Sequence, residues 1–258
     1  MDHRQIEELS LNNWPALSTL LYDGWVLRFA EGFTKRANSI NPIHDSTWDV
    51  DGKIEQCERI YAANQLPAVY KITPFVRPGN LDGVLANRGY SVVDITSVQT
   101  LRLDSLAEPK PYTVQIDELA TDAWIGLFCR MNRMDLRYKP VMERMLSNIR
   151  TPKGFITLFS DGEAVSCGLG VIERGYIGLY DIVTDERYRN RGFAEQMILH
   201  LLHWGKANGA GYSYLAVVAD NAPALRLYSK LGYSEIYKYW YRVKNRLSRM
   251  SGFMRRPS

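Results

Sequence analysis

The residues best suited to chemistry lie in one short stretch, Tyr188-Arg-Asn-Arg-Gly-Phe-Ala194. Before it, Tyr176 to Val183 is apolar and reads as a strand. After it, Phe193, Met197, Ile198, Leu201 and Leu202 recur at helical spacing. A strand that feeds a glycine-bearing loop and then a helix presents free backbone N–H groups at the helix start. Those groups and the helix dipole favour an anion. Gly192 lets a phosphate approach without a Cβ in the way, Ala194 is nearly as small, and Arg189 and Arg191 add positive charge. The stretch reads as a pyrophosphate cradle. It is no Walker loop, because no Gly-Lys-Ser/Thr follows, and it does not match the dinucleotide G-x-G-x-x-G. Taken alone, it is equally a plain strand-to-helix turn.

The elements that must position this loop follow from pattern. Phe155 to Phe159 and Ala164 to Ile172 read as strands around the turn Ser160-Asp161-Gly162. With Glu173-Arg174-Gly175 as the next turn, the strands form a meander. Gly209 and Gly211 stop the helix, and Tyr212 to Val218 reads as a strand. The loop Ala219-Asp220-Asn221 follows, with Pro223 where a first helical turn tolerates it. Ala224 to Leu231 is a short helix ending at Gly232, and Tyr233 to Val243 is a final aromatic strand.

Two stretches in order now carry a resemblance. Arg189-x-x-Gly192-x-Ala194 is similar to the R/Q-x-x-G-x-G/A signature of the GNAT superfamily of acyl-CoA-dependent N-acyltransferases. Asn221-x-x-Ala224-x-x-Leu227-Tyr228-x-x-x-Gly232-Tyr233 resembles that superfamily's second signature. The likeness covers roughly residues 113–243. It implies an N-acetyltransferase with acetyl-CoA as acyl donor and a primary amine, on a small molecule or a protein, as acceptor. The N–H groups of Asn190, Arg191, Gly192, Phe193 and Ala194 would hold pyrophosphate beside the Arg189 side chain. The backbone of Ile182, Val183 and Thr184 would pair with the pantetheine arm like an added strand. One of those N–H groups would polarise the thioester carbonyl. Asn221 would contact the cofactor, and Tyr228 would protonate the departing thiolate. Against this, Tyr228 also reads as a half-buried helix aromatic.

The chain departs from the resemblance at one position. Many members carry a glutamate base on the strand before the Asn loop. Here that strand reads Tyr214-Leu-Ala-Val-Val-Ala-Asp220, with no carboxylate before Asp220. Asp181 is the candidate base, acting directly or through water. Its other reading is a carboxylate held by a hydrogen bond where strands splay. A non-catalytic acyl-CoA sensor is the alternative from another functional class.

Composition sets the frame. The chain has 258 residues, 46% hydrophobic and 23% charged, as an ordinary globular protein does. A net charge of +4 is too mild to argue for a nucleic-acid partner. Three sparse cysteines, Cys57, Cys129 and Cys167, are no disulfide framework, which points to a reducing, cytoplasmic setting. No secretory h-region and no membrane-spanning apolar run is expected. His200 and His203 lack partners for a metal set and read as a solvated face. The basic run Arg242 to Ser258 reads as a frayed end. Cys129 to Met145 lies where such folds place acceptor-site helices, with Arg133, Asp135 and Tyr138 as candidate readers.

The N-terminal half repeats the pattern. Trp25 to Ala30 and Phe33 to Ile40 read as a hairpin around Glu31-Gly32. A helix over Ile54, Cys57, Glu58 and Tyr61 follows, then a strand at Ala68 to Ile72. The stretch Leu81 to Val93 reads as a short helix, a Gly-Tyr stop and a strand. A shift of 143 residues carries Gly32-Phe33 onto Gly175-Tyr176 and Gly89-Tyr90 onto Gly232-Tyr233 without a gap. That pattern predicts a duplicated unit. The first copy lacks the chemistry: Ser46 to Asp51 fall opposite Arg189 to Ala194, Pro78 opposite Asn221, and Leu85 opposite Tyr228. The expected fold is α/β: tandem GNAT-like halves, each a mixed, mostly antiparallel sheet flanked by helices. Residues 1–104 form the degenerate half, 105–112 a Pro-bearing linker, and 113–258 the catalytic half.

Overall fold

A computed structural model of the chain describes residues 3–244. In chain order the elements are α1 (His3–Asn13), β1 (Ser18–Tyr22), β2 (Trp25–Phe29), β3 (Ile40–Pro42), α2 (Val50–Ala63), β4 (Val69–Ile72), α3 (Leu81–Asn87), β5 (Tyr90–Arg102), β6 (Thr113–Asp117), α4 (Asp122–Met131), α5 (Lys139–Ser147), β7 (Lys153–Ser160), β8 (Glu163–Glu173), β9 (Tyr176–Thr184), α6 (Phe193–Ala207), β10 (Tyr212–Val218), α7 (Ala222–Lys230) and β11 (Ser234–Lys244). Single 3₁₀ turns stand at Lys35–Ala37, Leu136–Tyr138 and Glu186–Tyr188. Beyond Lys244, the basic run lies outside the described residues.

The chain divides into two compact units. Among the described residues, one holds 3–17 and 96–238; the other holds 18–95 and 239–244. In the first, the strand order is β5-β10-β9-β8-β7-β6. Its pairs are antiparallel except β9 with β10, which run parallel. Apolar residues of alternate strand positions, including Ile156, Ile177, Leu179, Leu215 and Val217, bury against Met197, Ile198, Leu201 and Leu202 of α6. That is the stripe read from the sequence, and its burial is the main term holding helix to sheet. On α4, the Trp124 ring stands edge-on to Phe155 at 4.9 Å, and its Nε1 donates to the Ile156 carbonyl at 3.1 Å.

The segment 105–112 is ordered against α6. Leu106 and Tyr112 pack on the core. The Lys110 N–H donates to Gln196 Oε1 at 2.7 Å, and the Lys110 and Ala107 carbonyls accept from His200 and His203 at 2.9 and 3.1 Å. The two histidines therefore fasten this segment. Among the described residues, no group of three or more His, Cys, Asp or Glu could hold a metal ion.

In the second unit the order is β1-β2-β3-β4-β11. Trp25, Leu27, Ile54, Cys57, Tyr61, Tyr70 and Leu85 centre its core. A hairpin β1–β2 turns at Asp23-Gly24, and β2 also pairs antiparallel with β3 across the connection that holds Glu31-Gly32, as expected. Of the expected second strand, Phe33 to Ile40, only Ile40 lies in β3, which runs on to Pro42. The cause is side-chain competition for the backbone. Thr34 caps a 3₁₀ turn. The Asn38 carboxamide accepts from the Ala30 and Gly32 N–H groups at 2.7 and 2.9 Å and donates to the Thr34 carbonyl at 2.7 Å.

The 143-residue shift carries over to the elements. It lays α2 along nearly all of α6, β4 on the start of β10 and α3 on α7. It also matches the turn Glu31-Gly32, at φ +50° and +78°, to Arg174-Gly175, at φ +49° and +76°. Each copy gives its last strand away. Thr96 to Arg102 of β5 pair with β10 over seven rungs in the first unit. Val243 to Trp240 of β11 pair with Val69 to Ile72 of β4 in the second. The compact units therefore follow no single cut at 105–112, because pairing and not chain order decides which copy a strand completes.

Candidate active site

The site is a fork in the first unit's sheet. β9 and β10 pair at only three rungs, Tyr176 to Gly178 with Tyr212 to Tyr214. Beyond that, β10 stays with β5 and β9 stays with β8. Past Gly178 no further rung joins β9 to β10 among the described residues, and a strand edge without a ladder can take an added partner. A bulge helps to bend β9 away: Leu169 pairs with Tyr180 and Cys167 with Val183, so Asp181 and Ile182 together oppose one residue, Gly168. Asp181 takes φ +51°, a left-handed conformation that short polar side chains tolerate.

Gly178, the last rung, has no room for a side chain. A Cβ would lie 2.6 Å from the Tyr214 ring and 2.8 Å from that of Tyr180. Those two tyrosines bolt the crotch of the fork. Their hydroxyls are 2.6 Å apart; Asn13 Nδ2 donates to Tyr214 at 3.1 Å, and Thr151 bonds the Asn13 carbonyl at 3.2 Å. Trp14 stacks on Tyr180 at 5.7 Å. The sequence reading missed this cluster. Its one signal was an isolated glycine inside a strand, which marks close approach.

Past β9, the chain turns at Asp185, whose carboxylate caps Glu186–Tyr188 and takes both Nε and Nη2 of Arg187 at 3.1 and 2.9 Å. Arg189 Nε reaches the Thr184 carbonyl at 3.4 Å, and Arg191 lies over Tyr188 at 5.5 Å. Asn190 and Gly192 have φ +61° and +84°. Gly192 caps α6 with no side-chain bond. The first N–H of the helix to find a backbone partner here is that of Gln196, on the Gly192 carbonyl. The N–H groups of Asn190 to Ala194 have no hydrogen-bond partner among the described residues. A Cβ on Gly192 would meet nothing within 4 Å. The loop thus offers open space, free donors and a helix dipole, a set that fits a pyrophosphate group.

Asn221 starts α7. Its Oδ1 accepts the Ala224 N–H at 3.2 Å, so the side chain is a helix cap whose Nδ2 is left to face elsewhere. Tyr228, on the same helix, is buried, stands 5.8 Å from the Tyr233 ring, and has no hydroxyl partner among the described residues. Burial pushes its pKa up to about 12. Asp181 is half-buried. Burial first, and the Asp181 carboxylate second, push the Cys167 thiol well up. Tyr228 on α7, Asp181 to Thr184 on β9 and the loop to Ala194 belong to one unit and to adjoining elements.

The acceptor-reading candidates are engaged within the protein. Arg133, at φ +50°, forms an ion pair with Glu186. Asp135 caps Leu136–Tyr138 and pairs with Arg137 at 2.8 Å. The Arg137 guanidinium lies over the Tyr138 ring at 4.8 Å.

Residues 1–242 match the family model described as "Probable histone acetyltransferase Rv0428c C-terminal". The chain is 31% identical over 251 residues to the uncharacterized N-acetyltransferase YobR of Bacillus subtilis (strain 168), covering 94% of this chain and 99% of that one. A GCN5-related N-acetyltransferase from Kribbella flavida superposes with a TM-score of 0.69 at 15% identity, over 93% and 94% of the two chains. A tandem GNAT protein from the clavulanic acid biosynthesis pathway superposes at 0.60 with 14% identity, over 75% and 69%. These two structures share the chain's α/β fold. No helix among the described residues is long and apolar enough to cross a membrane. On the family match and the YobR relationship, the chain is an acetyltransferase of the GNAT superfamily and belongs to the Rv0428c C-terminal family.

Proposed function

We propose that the chain transfers the acetyl group of acetyl-CoA to a primary amine by direct attack. The observation that carries this reading is the fork: Ile182 to Thr184 of β9 have no rung with β10 and lead, through Asp185, into a loop of free N–H groups at the start of α6. A pantetheine amide arm needs such an edge, and a pyrophosphate needs such a loop.

Residue roles follow. The backbone of Ile182, Val183 and Thr184 bonds the arm, and one of its N–H groups points at the thioester oxygen, where charge develops. Asn190 to Ala194 hold pyrophosphate, with Arg189 and Arg191 adding charge. Asn221 bonds the cofactor through Nδ2, since Oδ1 caps α7. The tetrahedral carbon forms as the amine nitrogen attacks, and the C–S bond then breaks. Tyr228 gives the thiolate its proton, and Asp181 accepts the amine proton directly or through water. With its pKa near 12, Tyr228 carries that proton throughout the physiological range.

The halves 1–104 and 113–258 are read as two copies of one ancestral unit, the first without cofactor. The setting is read as cytoplasmic, consistent with three free, buried cysteines. The test is a panel of primary amines with acetyl-CoA, followed by release of free thiol. Amine-dependent release supports the reading. Saturable acetyl-CoA binding with no turnover on any amine assigns the chain to the sensor class.

A further inference from the structure

The second unit holds an anion in the position that the duplication assigns to a phosphate, and the anion is the chain's own. Asp23 sits at the β1–β2 turn with φ +44°. Its carboxylate accepts the Thr47 N–H at 3.0 Å, the Trp48 N–H at 3.0 Å and the Thr47 hydroxyl at 2.8 Å. The Lys53 ammonium stands 3.2 Å from Oδ2. That lysine side chain is fully buried, lies over the Trp25 ring at 4.1 Å, and also reaches Ser46 Oγ at 2.5 Å and the Asp23 carbonyl.

The shift of 143 residues places Thr47 and Trp48 on Asn190 and Arg191, and Val50, where α2 begins, on Phe193, where α6 begins. Two successive N–H groups converging ahead of a helix, with a hydroxyl and a buried ammonium, are the donor set of a phosphate site. The neighbouring acids do not fill it. Asp49 caps its own helix through the Gly52 N–H at 2.9 Å, Asp51 pairs with Arg88 at 2.8 Å, and Asp45 faces Arg77 at 3.4 Å. A cavity of about 240 Å³, lined by Asp45, Ser46, Trp48, Val50, Pro78 and Asn80, opens beside the same loop.

We infer that the loop Ser46 to Trp48 with Lys53 is a phosphate-type anion site that the Asp23 carboxylate keeps filled, so that this unit takes a phosphoryl group only once Asp23 is removed. The donor set binds one anion, and a carboxylate tethered by the chain competes at high effective concentration with any free phosphate. The ionised state agrees. The Thr47 N–H bond, above all, holds the Asp23 carboxyl well below the usual carboxylate range. Burial pulls the Lys53 pKa down, and Asp23 opposes that pull. Because the Asp23 pKa is lowered on folding, its contribution to stability is present above the ordinary carboxylate range. That contribution fades only as pH falls through the folded value.

The ligand class rests on the cradle reading of Asn190 to Ala194; the filled nest does not. Inorganic pyrophosphate is the probe, titrated calorimetrically into full-length wild type, Asp23→Ala and Asp23→Ser. The expected result is one more saturable site in each variant than in wild type. The wild-type count by itself tests the other cradle: one site supports it and none refutes it. The difference between variant and wild type tests this inference alone. Folded variants with no added site overturn it. A measurement on wild type stands even where a variant fails to fold. Carboxyl-carbon NMR should find Asp23 still ionised where the exposed aspartates are half-protonated, and titration together with them overturns the inference.

Discussion

Tyr180 Oη and Tyr214 Oη lie 2.6 Å apart, buried, at the point where β9 and β10 cease to pair. Both strands continue past this contact, so the hydrogen bond marks the vertex of the opening. Tyr214→Phe removes the link between Tyr180 and Asn13 and leaves polar groups unmatched. It should cost about 1–3 kcal/mol in chemical denaturation. Gly178→Val should cost more, since its branched carbons enter the Tyr214 and Tyr180 rings, and acetyl-CoA affinity should fall with it. Unchanged stability in both variants would detach the tyrosine pair from the vertex.

Gly192→Asp should abolish acetyl-CoA binding while the fold survives. The position has φ +84°, which aspartate tolerates better than most residues, and beyond the adjoining backbone no atom of the described residues stands within 4 Å of the new Cβ. The loss therefore comes from a carboxylate set against phosphate. Calorimetry on the folded variant, giving wild-type affinity, would remove the cradle assignment.

Tyr228→Phe should lower kcat by about 10²-fold or more with acetyl-CoA affinity held, as loss of a general acid does. The proton-donating form is lost only as pH approaches the raised pKa, about 12. Wild-type kcat should therefore show no alkaline fall near pH 10 attributable to this residue. A variant within about twofold of wild type makes Tyr228 a packing residue.

All three cysteines should resist thiol reagents in the native protein and react once it is denatured. Each is buried. Burial, chiefly, pushes the Cys57 pKa to about 12 and raises those of Cys129 and Cys167. Thiolate is the reactive form. A thiol-release assay then counts product alone, and rapid native modification would show otherwise.

Residues 105–258 alone should be poorly soluble or inactive. Such a fragment lacks Thr96 to Arg102, so it exposes the seven-rung edge of β10 beside the site. An unpaired edge of that length invites aggregation. A soluble, fully active fragment starting near Ser105 would refute this.

The helices and strands around the chemistry were legible because they are strongly periodic. The stripe Phe193, Met197, Ile198, Leu201 and Leu202 became the buried face of α6, and Tyr212 to Val218 became β10 to the residue. The two turns of the meander, at Asp161-Gly162 and Arg174-Gly175, were legible from glycine. Phe33 to Ser39 was not, because Asn38 overrides strand propensity through bonds visible only in three dimensions. The Tyr180–Tyr214–Asn13 cluster was equally hidden, since its members are as much as 201 residues apart. The exchange of final strands left no trace in composition or period. Pairing partners are a tertiary choice, and the 143-residue repeat alone favours the opposite assignment.

That exchange has a consequence for synthesis. The unit that begins at Ser18 receives its closing strand only when Tyr239 to Lys244 have left the ribosome. Early emergence of its helices and its other four strands therefore yields no finished module, and the nascent chain waits with β4 uncovered. Stalled or truncated products carry that bare edge, which makes them substrates for chaperones or proteases. A ribosome-arrested series should gain protection of Val69 to Ile72 abruptly, once Tyr239 to Lys244 have emerged, and not when the first copy is complete.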